Sequence, residues 1–251
     1  MYIARVLYGG TEVYAEYREG KYFVIGGDIF GDFSVSDKVI SPEKILPPVQ
    51  PKKIIALGAN YMKLAKELDL KVNDSPIIFM KPASAVIGHG DSIVYPLEAA
   101  KVDYEAELAI VIKKRCRRVK KEDAFSVILG YTCANDVSER VFQKMDGQWT
   151  RAKGYDTFCP LGPHVATDIN SESLDLETIV NGVVRQKGNT ADMINKVDDI
   201  IAFVTQVMTL ETGDVILTGT PENIGEIKPG DLVEIKIEKI GSLVNKVVKE
   251  I

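Results

Sequence analysis

The stretch D-Y-E-A-E-L-A-I-V-I, from Asp103 to Ile112, predicts a β-strand that carries two glutamates on one face. Side chains of a strand alternate between its two faces, so residues two apart point the same way. Glu105 and Glu107 therefore lie side by side, with Asp103 and Ala109 next to them. The other face is wholly apolar and is expected to pack in the core. It consists of Ala106, Leu108, Ile110 and Ile112.

Two neighbouring carboxylates repel each other, so this strand face needs positive charge. A divalent cation with oxygen ligands, such as Mg²⁺, Mn²⁺ or Ca²⁺, would supply it. The alternative is a solvated strand face whose glutamates pair with lysines on a neighbouring strand. The pair of Glu105 and Glu107 by itself leaves both interpretations open.

Length and composition predict an ordinary globular protein. The chain has 251 residues, of which 45% are hydrophobic and 27% charged, as in typical soluble domains. The net charge of −5 argues against nucleic acid or an anionic membrane as the main partner. Because we find neither an apolar run of about 18 residues nor the pattern of a signal peptide, we expect a cytoplasmic location.

The three cysteines are odd in number and show no C-x-x-C spacing. Reduced thiols are therefore expected. Cys133 and Cys159 stand in apolar segments and are expected to pack as small hydrophobic side chains.

A proline-rich segment, I-L-P-P-V-Q-P at 45–51, predicts a boundary between two domains. Residues 1–50 contain short alternating segments broken by glycines and predict a small strand-rich domain of hairpins. Residues 51–251 form the main domain, in which strands dominate and helices are predicted at 60–69, 121–128, 136–144 and 191–210. The fold class is therefore α+β and rich in β-structure.

Two polar segments of the main domain have structural interpretations. Asn135 or Asp136 stands where a helix N-cap belongs, and Glu139 falls at the position of a capping-box partner of Asp136. The run K-K-R-C-R-R-V-K-K at 113–121 holds seven basic residues in nine. It lacks interleaved aromatic residues and lies in an acidic chain, so a solvated turn is favoured over a nucleic-acid patch.

A series of motifs runs in a fixed order through the main domain. The series covers about residues 50–251, nearly the whole main domain. Its segments are G-A-N-Y (58–61), F-M-K-P (79–82), D-Y-E-A-E-L-A (103–109), G-Y-T-C-A-N-D-V-S-E-R (130–140), Q-W-T-R-A-K-G-Y-D-T-F-C-P-L-G-P (148–163), V-N-G (180–182), Q-K-G-N-T-A-D-M-I (186–194), L-T-G-T-P (217–221) and P-G-D-L-V-E (229–234).

This ordered series resembles the fumarylacetoacetate hydrolase superfamily. The resemblance implies a mixed β-roll catalytic domain behind a small N-terminal domain, assembled as a homodimer. It implies that Glu105, Glu107 and Asp136 together hold one divalent metal, Mg²⁺ or else Mn²⁺ or Ca²⁺, and this role displaces the capping interpretation of Asp136. Members of the family act on small 2-oxo or 2-enol acids, which they cleave, decarboxylate or tautomerise. Such an acid can chelate a metal, which then stabilises the enolate.

Further site residues follow from the resemblance alone. Lys153 matches the family's active-site lysine and would supply a second cation at the developing oxyanion. Arg140 and Gln143, one helical turn apart, match substrate-binding groups. Thr220 and the preceding Gly219 match the turn whose hydroxyl and backbone N–H meet the substrate carboxylate.

One position departs from the family pattern. Many members carry N-Y-x-x-H-x-x-E, whose histidine and glutamate form a lid dyad, but here Leu64 replaces the histidine while Glu67 is kept. General-base help is worth about 10² to 10⁴ in rate, so its loss should harm hydrolysis most. Decarboxylation needs mainly an electron sink, and Glu67 could carry the proton of a tautomerisation. His89 is expected to be a solvated side chain of its loop, with contact to the site as the alternative, and His164 is expected to be structural.

We therefore predict an isomerase (tautomerase) or decarboxylase of the 2-hydroxyhepta-2,4-diene-1,7-dioate type. The alternatives are a C–C hydrolase of the acylpyruvate or fumarylacetoacetate type, an oxaloacetate decarboxylase, and a protein that binds metal and oxo acid without turnover.

Overall fold

Strands pair into three sheets in the computed structural model, which describes residues 1–67, 69 and 75–251. The strands within these residues are β1 (Tyr2–Tyr8), β2 (Thr11–Arg18), β3 (Lys21–Gly27), β4 (Phe33–Ile40), β5 (Lys44–Leu46), β6 (Ile54–Gly58), β7 (Ile77–Lys81), β8 (Val86–Ile87), β9 (Ser92–Tyr95), β10 (Val102–Tyr104), β11 (Ala106–Ile112), β12 (Ile128–Asn135), β13 (Ser138–Glu139), β14 (Cys159–Ala166), β15 (Asp175–Val180), β16 (Val183–Asn189), β17 (Val215–Leu217), β18 (Gly225–Glu226), β19 (Leu232–Ile237) and β20 (Gly241–Lys249).

The largest sheet runs in the order β4-β3-β2-β1-β14-β12-β11-β17-β6-β7, with β5 paired to β1 and β8 to β14. A second sheet has the order β16-β15-β19-β20-β9, and a small third sheet the order β13-β10-β18. Most neighbours are antiparallel, but β17–β6, β20–β9 and β14–β8 are parallel. This mixed, strand-rich architecture confirms the predicted α+β fold.

The helices are few and short. They are α1 (Met62–Glu67), α2 (Arg140–Met145), α3 (Thr150–Lys153) and α4 (Val197–Val207), with 3₁₀ turns at Ala83–Ala85, Lys121–Val127 and Thr190–Asp192. Among the helices of the described residues, none is long and apolar enough to cross a membrane.

The predicted helix limits need correction in four places. The helix at 136–144 begins only at Arg140, because residues 138–139 form β13 and the side chain of Glu139 caps α2 by accepting from the N–H of Phe142. Residues 121–127 form a 3₁₀ turn. The helix at 191–210 is confined to α4, whose N-cap is Lys196, and the side chain of Asp199 accepts from the N–H of Lys196 at 3.4 Å. The helix at 60–69 is described as Met62–Glu67, and Leu68 lies outside the described residues.

The stretch from Asp103 to Ile112 is not one continuous strand: it is interrupted at Glu105, between β10 and β11. The Glu105 N–H donates to Oδ1 of Asn135 at 3.0 Å, and its carbonyl accepts from the N–H of Asp136. These bonds replace regular pairing, so β10 joins the small sheet while β11 continues in the largest one. Both faces of β11 are buried, with Leu108 in one hydrophobic core and Ala109 in another. The solvated strand face considered above is therefore wrong.

The first five strands extend the largest sheet. β1 pairs with β14 in the register Tyr2↔Ala166, and Ile3 and Ile25 share a hydrophobic core with Ile54. The domain boundary between residues 50 and 51 stays a prediction, as does the homodimer.

The basic run at 113–121 lies along α4 in space and contacts both ends of that helix. The Nζ of Lys121 donates to Asp199 in the first turn of α4 at 2.5 Å. Arg117 donates to the carbonyl of Gln206 in the last turn at 2.8 Å, where a cation complements the helix dipole. These contacts give the run a structural role and agree with its interpretation as a turn.

We predict that thiol labelling distinguishes the cysteines. Burial raises the pKa of Cys159 to about 12 and also raises that of Cys133, whereas Cys116 is only half-buried. Because the thiolate is the reactive form, Ellman's reagent should react first with Cys116 in the folded protein and with all three thiols after denaturation. Cys116→Ser should abolish the first phase. Rapid native labelling of two or more thiols would contradict this packing.

Candidate metal centre and active site

Three acidic side chains lie close together near Glu105, where β10 ends and β11 begins. Ligand oxygens of Glu105, Glu107 and Asp136 all lie within 4.8 Å of one another, and all three residues are buried. Glu107 comes from β11, while Glu105 and Asp136 each directly precede or follow a strand end.

Two lysines bind this acidic triad from within the protein. Nζ of Lys153, at the end of α3, contacts Oε2 of Glu105 at 2.8 Å and Oδ2 of Asp136 at 2.6 Å. Nζ of Lys81, at the end of β7, contacts Oδ1 of Asp136 at 2.6 Å and the carbonyl of Val137. Both lysines are almost fully buried. Lysine is rarely buried without an anionic partner, so these contacts account for their position.

Arg140, the first residue of α2, contacts the triad through Glu105. Its guanidinium contacts Oδ2 of Asp103 at 2.9 Å and also binds Oε1 of Glu105. A third bond reaches Oε1 of Gln143, one turn along α2, at 2.8 Å. The structure therefore brings the two predicted substrate-binding residues together and places Arg140 against a triad carboxylate.

The buried cluster holds more negative than positive charge. Among the described residues it contains four carboxylates (Asp103, Glu105, Glu107 and Asp136) and three cations (Lys81, Arg140 and Lys153). The exposed Lys101 adds a fourth cation, 3.7 Å from Oδ2 of Asp103. Without it, and counted as ionised groups, the cluster has one negative charge in excess. A bound dication would reverse the sign of the site and favour an anionic ligand.

The pKa values of Glu107, Asp136 and Lys153 are shifted by the neighbouring charges of the cluster. Burial, together with the charges of Asp136 and Glu105, raises the pKa of Glu107 well above its ordinary value. Burial also opposes ionisation of Asp136, but Lys153 and Lys81 outweigh it and hold its pKa below the usual range. Burial lowers the pKa of Lys153, but the carboxylates of Asp136 and Glu105 outweigh it, so its pKa is raised. Glu107 is thus the least compensated member of the triad.

The triad fits a hard divalent cation. Carboxylate oxygens are the ligands that Mg²⁺, Mn²⁺ and Ca²⁺ prefer, and the donor set contains neither sulfur nor imidazole. The excess negative charge of the buried groups points the same way. Glu105, Glu107 and Asp136 could therefore hold a metal ion.

A tight turn after β17 supports Glu107. The N–H of Gly219 donates to Oε2 of Glu107 at 2.6 Å. Gly219 has φ +91°, and a Cβ there would lie 2.8 Å from Cβ of Asn60, so the turn requires glycine. The next residue, Thr220, is buried, and its Oγ1 accepts from the side chain of Gln186 at 2.9 Å. Gly219 thus orients a triad residue, and Thr220 lies one residue beyond it.

Helix α1 lies against the same turn. Leu64 is buried in the main hydrophobic core, whereas Glu67 is exposed. Oε2 of Glu67 accepts from the N–H of Asn223 at 3.0 Å, three residues beyond Thr220. Within the described part of the chain, no hydrogen bond joins Glu67 to the acidic cluster.

Both histidines have structural partners away from the triad. His89 is half-buried, and its Nδ1 accepts from the N–H of Val244 on β20 at 3.2 Å. His164 is buried, binds the carbonyl of Ile240, and stacks on Tyr17 with ring centroids 5.6 Å apart. Among the described residues, no hydrogen bond of either histidine reaches the acidic triad.

Comparison with known proteins identifies the family. A model described as the fumarylacetoacetate (FAA) hydrolase C-terminal domain matches residues 53–248. The chain belongs to the fumarylacetoacetate hydrolase family. It is an enzyme of this family, whose members act on small molecules.

Three relatives illustrate the similarity. The mitochondrial oxaloacetate tautomerase Fahd2a of Rattus norvegicus is 40% identical over 215 residues, 81% of this chain and 69% of the relative. The 5-carboxymethyl-2-hydroxymuconate delta-isomerase of Mycobacterium smegmatis has a TM-score of 0.93 and 40% identity, covering 100% of both chains. The 2-hydroxyhepta-2,4-diene-1,7-dioate isomerase of Mycobacterium marinum has a TM-score of 0.92 and 40% identity, covering 100% of this chain and 99% of the other.

Three residues that support the site of this fumarylacetoacetate hydrolase family enzyme were not among the site residues predicted from the sequence. Lys81 holds Asp136, Asn135 fixes the backbone of Glu105, and Gln186 holds Thr220. The signal for Lys81 was a lysine at the end of the apolar run I-I-F-M, where a buried charge needs a partner. Asn135 and Gln186 carry no comparable signal, because a polar amide is ordinary in either segment.

We predict that Glu105→Gln in this family enzyme weakens Mn²⁺ binding at least about tenfold, because it removes one anionic ligand from the triad. Free Mn²⁺ measured by electron paramagnetic resonance gives the affinity independently of turnover. Glu122→Gln, an exposed glutamate in the 3₁₀ turn, is the matched control. Wild-type affinity in a folded Glu105→Gln variant would contradict the site.

Proposed function

We propose that the protein is a divalent-metal-dependent isomerase (tautomerase) that acts on a 2-oxo or 2-enol dicarboxylic acid through its enolate. The observation that carries this proposal is the buried triad of Glu105, Glu107 and Asp136, with Lys153 in contact with two of its members. Such a site stabilises negative charge that develops on oxygen. It lacks a histidine base at Leu64 for the activation of water.

The triad would hold Mg²⁺, Mn²⁺ or Ca²⁺, and the bound ion supplies Lewis acidity at the carboxylate and keto oxygens of a 2-oxo acid. Lys153 brings a fixed cation to the same place. Its ammonium is held by two carboxylates, so little reorganisation is needed when charge develops on the substrate. Arg140 is tied to Asp103 and Glu105 and orients the latter, while Gln143 extends the polar surface along α2.

The turn at Gly219 and Thr220 is proposed to receive the substrate carboxylate. Gly219 orients Glu107, so a ligand that contacts the Thr220 hydroxyl lies next to the triad. This arrangement holds one end of the substrate while the enolate oxygen lies at Lys153. Alignment of this kind accelerates a reaction by positioning alone.

Glu67 is the proposed proton carrier. Its carboxylate is bound to Asn223, in the segment that follows Thr220, so α1 lies at the edge of the proposed carboxylate site. Moving a proton between carbon and oxygen requires one carboxylate that accepts and returns it. Cleavage of a carbon–carbon bond by water requires an activated water as well, and Leu64 cannot activate it.

The names of the relatives support isomerisation. One is named an oxaloacetate tautomerase, and two are named isomerases of a hydroxymuconate and a hydroxyheptadienedioate. We therefore place a dicarboxylate with a 2-oxo or 2-enol group first among the substrates of this protein.

The test is an NMR time course with Mg²⁺ and three substrates: oxaloacetate, acetylpyruvate and a 2-hydroxymuconate-type dienol acid. An EDTA-treated sample is the control. We expect metal-dependent enol–keto conversion or migration of a double bond. Metal-dependent release of CO₂ would instead indicate a decarboxylase, and release of acetate a hydrolase. Equal rates with and without EDTA would contradict the metal-dependent mechanism.

We predict that Leu64→His raises the hydrolysis of acetylpyruvate at least about tenfold, because general-base help is worth about 10² to 10⁴ in rate. Acetate release is measured by NMR. Leu64→Asn is the matched control, since it introduces a polar side chain that cannot act as a base. An equal gain in both variants, or none in either, would show that position 64 does not limit hydrolysis.

A further inference from the structure

Gln186 joins the proposed carboxylate site to the strand that carries the glutamates. It lies on β16, is 1% exposed, and uses both ends of its side-chain amide. Its Oε1 accepts from the N–H of Ala106 at 3.1 Å and from the hydroxyl of Thr178 at 2.8 Å. Its Nε2 donates to Oγ1 of Thr220 at 2.9 Å and to the carbonyl of Pro221 at 2.8 Å.

Two backbone groups determine which way this amide faces. The N–H of Ala106 can only donate, so it must meet the oxygen of the amide. The carbonyl of Pro221 can only accept, so it must meet the nitrogen. The group that faces Thr220 is therefore an N–H donor, whichever way the threonine hydroxyl rotates.

The hydroxyl of Thr220 is consequently an acceptor toward Gln186. A hydroxyl has one hydrogen, and that hydrogen has no protein acceptor among the residues that the structure describes. Thr220 is 3% exposed, so bulk solvent has little access to this hydroxyl and its hydrogen is left free for a bound ligand. A ligand at this point must offer an acceptor.

We propose that Gln186 is a positioning residue that makes the Thr220 hydroxyl a hydrogen-bond donor to the substrate carboxylate. The inference rests on the proposed function, in which Thr220 receives that carboxylate. Ala106 lies between Glu105 and Glu107, so the same amide also fixes the distance between this donor and the metal-binding triad. The site thereby selects a ligand with an anionic acceptor at a set distance from the metal.

A double-mutant cycle tests this role with Gln186→Glu, Thr220→Val and the double variant. A glutamate at 186 cannot donate when ionised, so it would draw the Thr220 hydrogen to itself. We measure kcat and KM for oxaloacetate with Mg²⁺, and the Kd of oxalate for the Mn²⁺-loaded protein by calorimetry. Gln206→Glu, an exposed glutamine on α4, is the matched control.

We expect each single variant to raise KM and the oxalate Kd about tenfold with kcat nearly unchanged, as for one lost hydrogen bond to a charged group. The double variant should bind oxalate no more weakly than the single variant with the higher oxalate Kd, because Gln186 acts through Thr220. Effects that multiply to about a hundredfold, or a fall in kcat with unchanged KM, would overturn the proposal.

Two further measurements keep the result decisive. Circular dichroism establishes that each variant is folded, and Gln186→Met replaces Gln186→Glu in the cycle, under the same criteria, if the glutamate does not fold. Absence of turnover in the wild-type protein would refute the proposed function. The oxalate cycle would then still support or overturn the link between Gln186 and Thr220.

Discussion

The burial of four carboxylates against three cations is the constraint on which the rest of this structure depends. Ionised groups are costly to bury, and one unpaired partner in such a cluster is costlier still. Lys81, Arg140 and Lys153 each contact at least one of the carboxylates, so the strand and helix ends that carry them must meet at one place. No ion pair of the described residues involves Glu107, so this carboxylate is the one that a bound cation would compensate.

The irregular backbone at Glu105 follows from this constraint. A continuous strand would hold Glu105 and Glu107 parallel, as the alternation of side chains predicts. The side chain of Asn135 instead takes the N–H of Glu105, and the strand ends there. The turn at Gly219 contributes in the same way, since only glycine permits its close approach to Asn60 and the bond to Glu107.

Much of the fold and part of the site could be predicted from the sequence. The apolar face of β11, the strand-rich class and the convergence of Glu105, Glu107 and Asp136 are as expected, the last from family resemblance. The helix at 136–144 was wrong at its start, because a capping pattern at Asp136 competed with the capping by Glu139 that the structure shows. Pairing of β13 with β10, which are distant in sequence, decided between the two.

The sequence by itself, through its family resemblance, predicted the acidic triad, the role of Lys153 and the departure at Leu64, because these are properties of residue type in a recognisable order. Only the tertiary structure decided that Lys81 neutralises Asp136 and that Gln186 sets the donor direction of Thr220. These partners lie 55 and 34 residues apart along the chain. Hydrogen-bond direction depends on which groups the fold brings together, and no local pattern of residues encodes it.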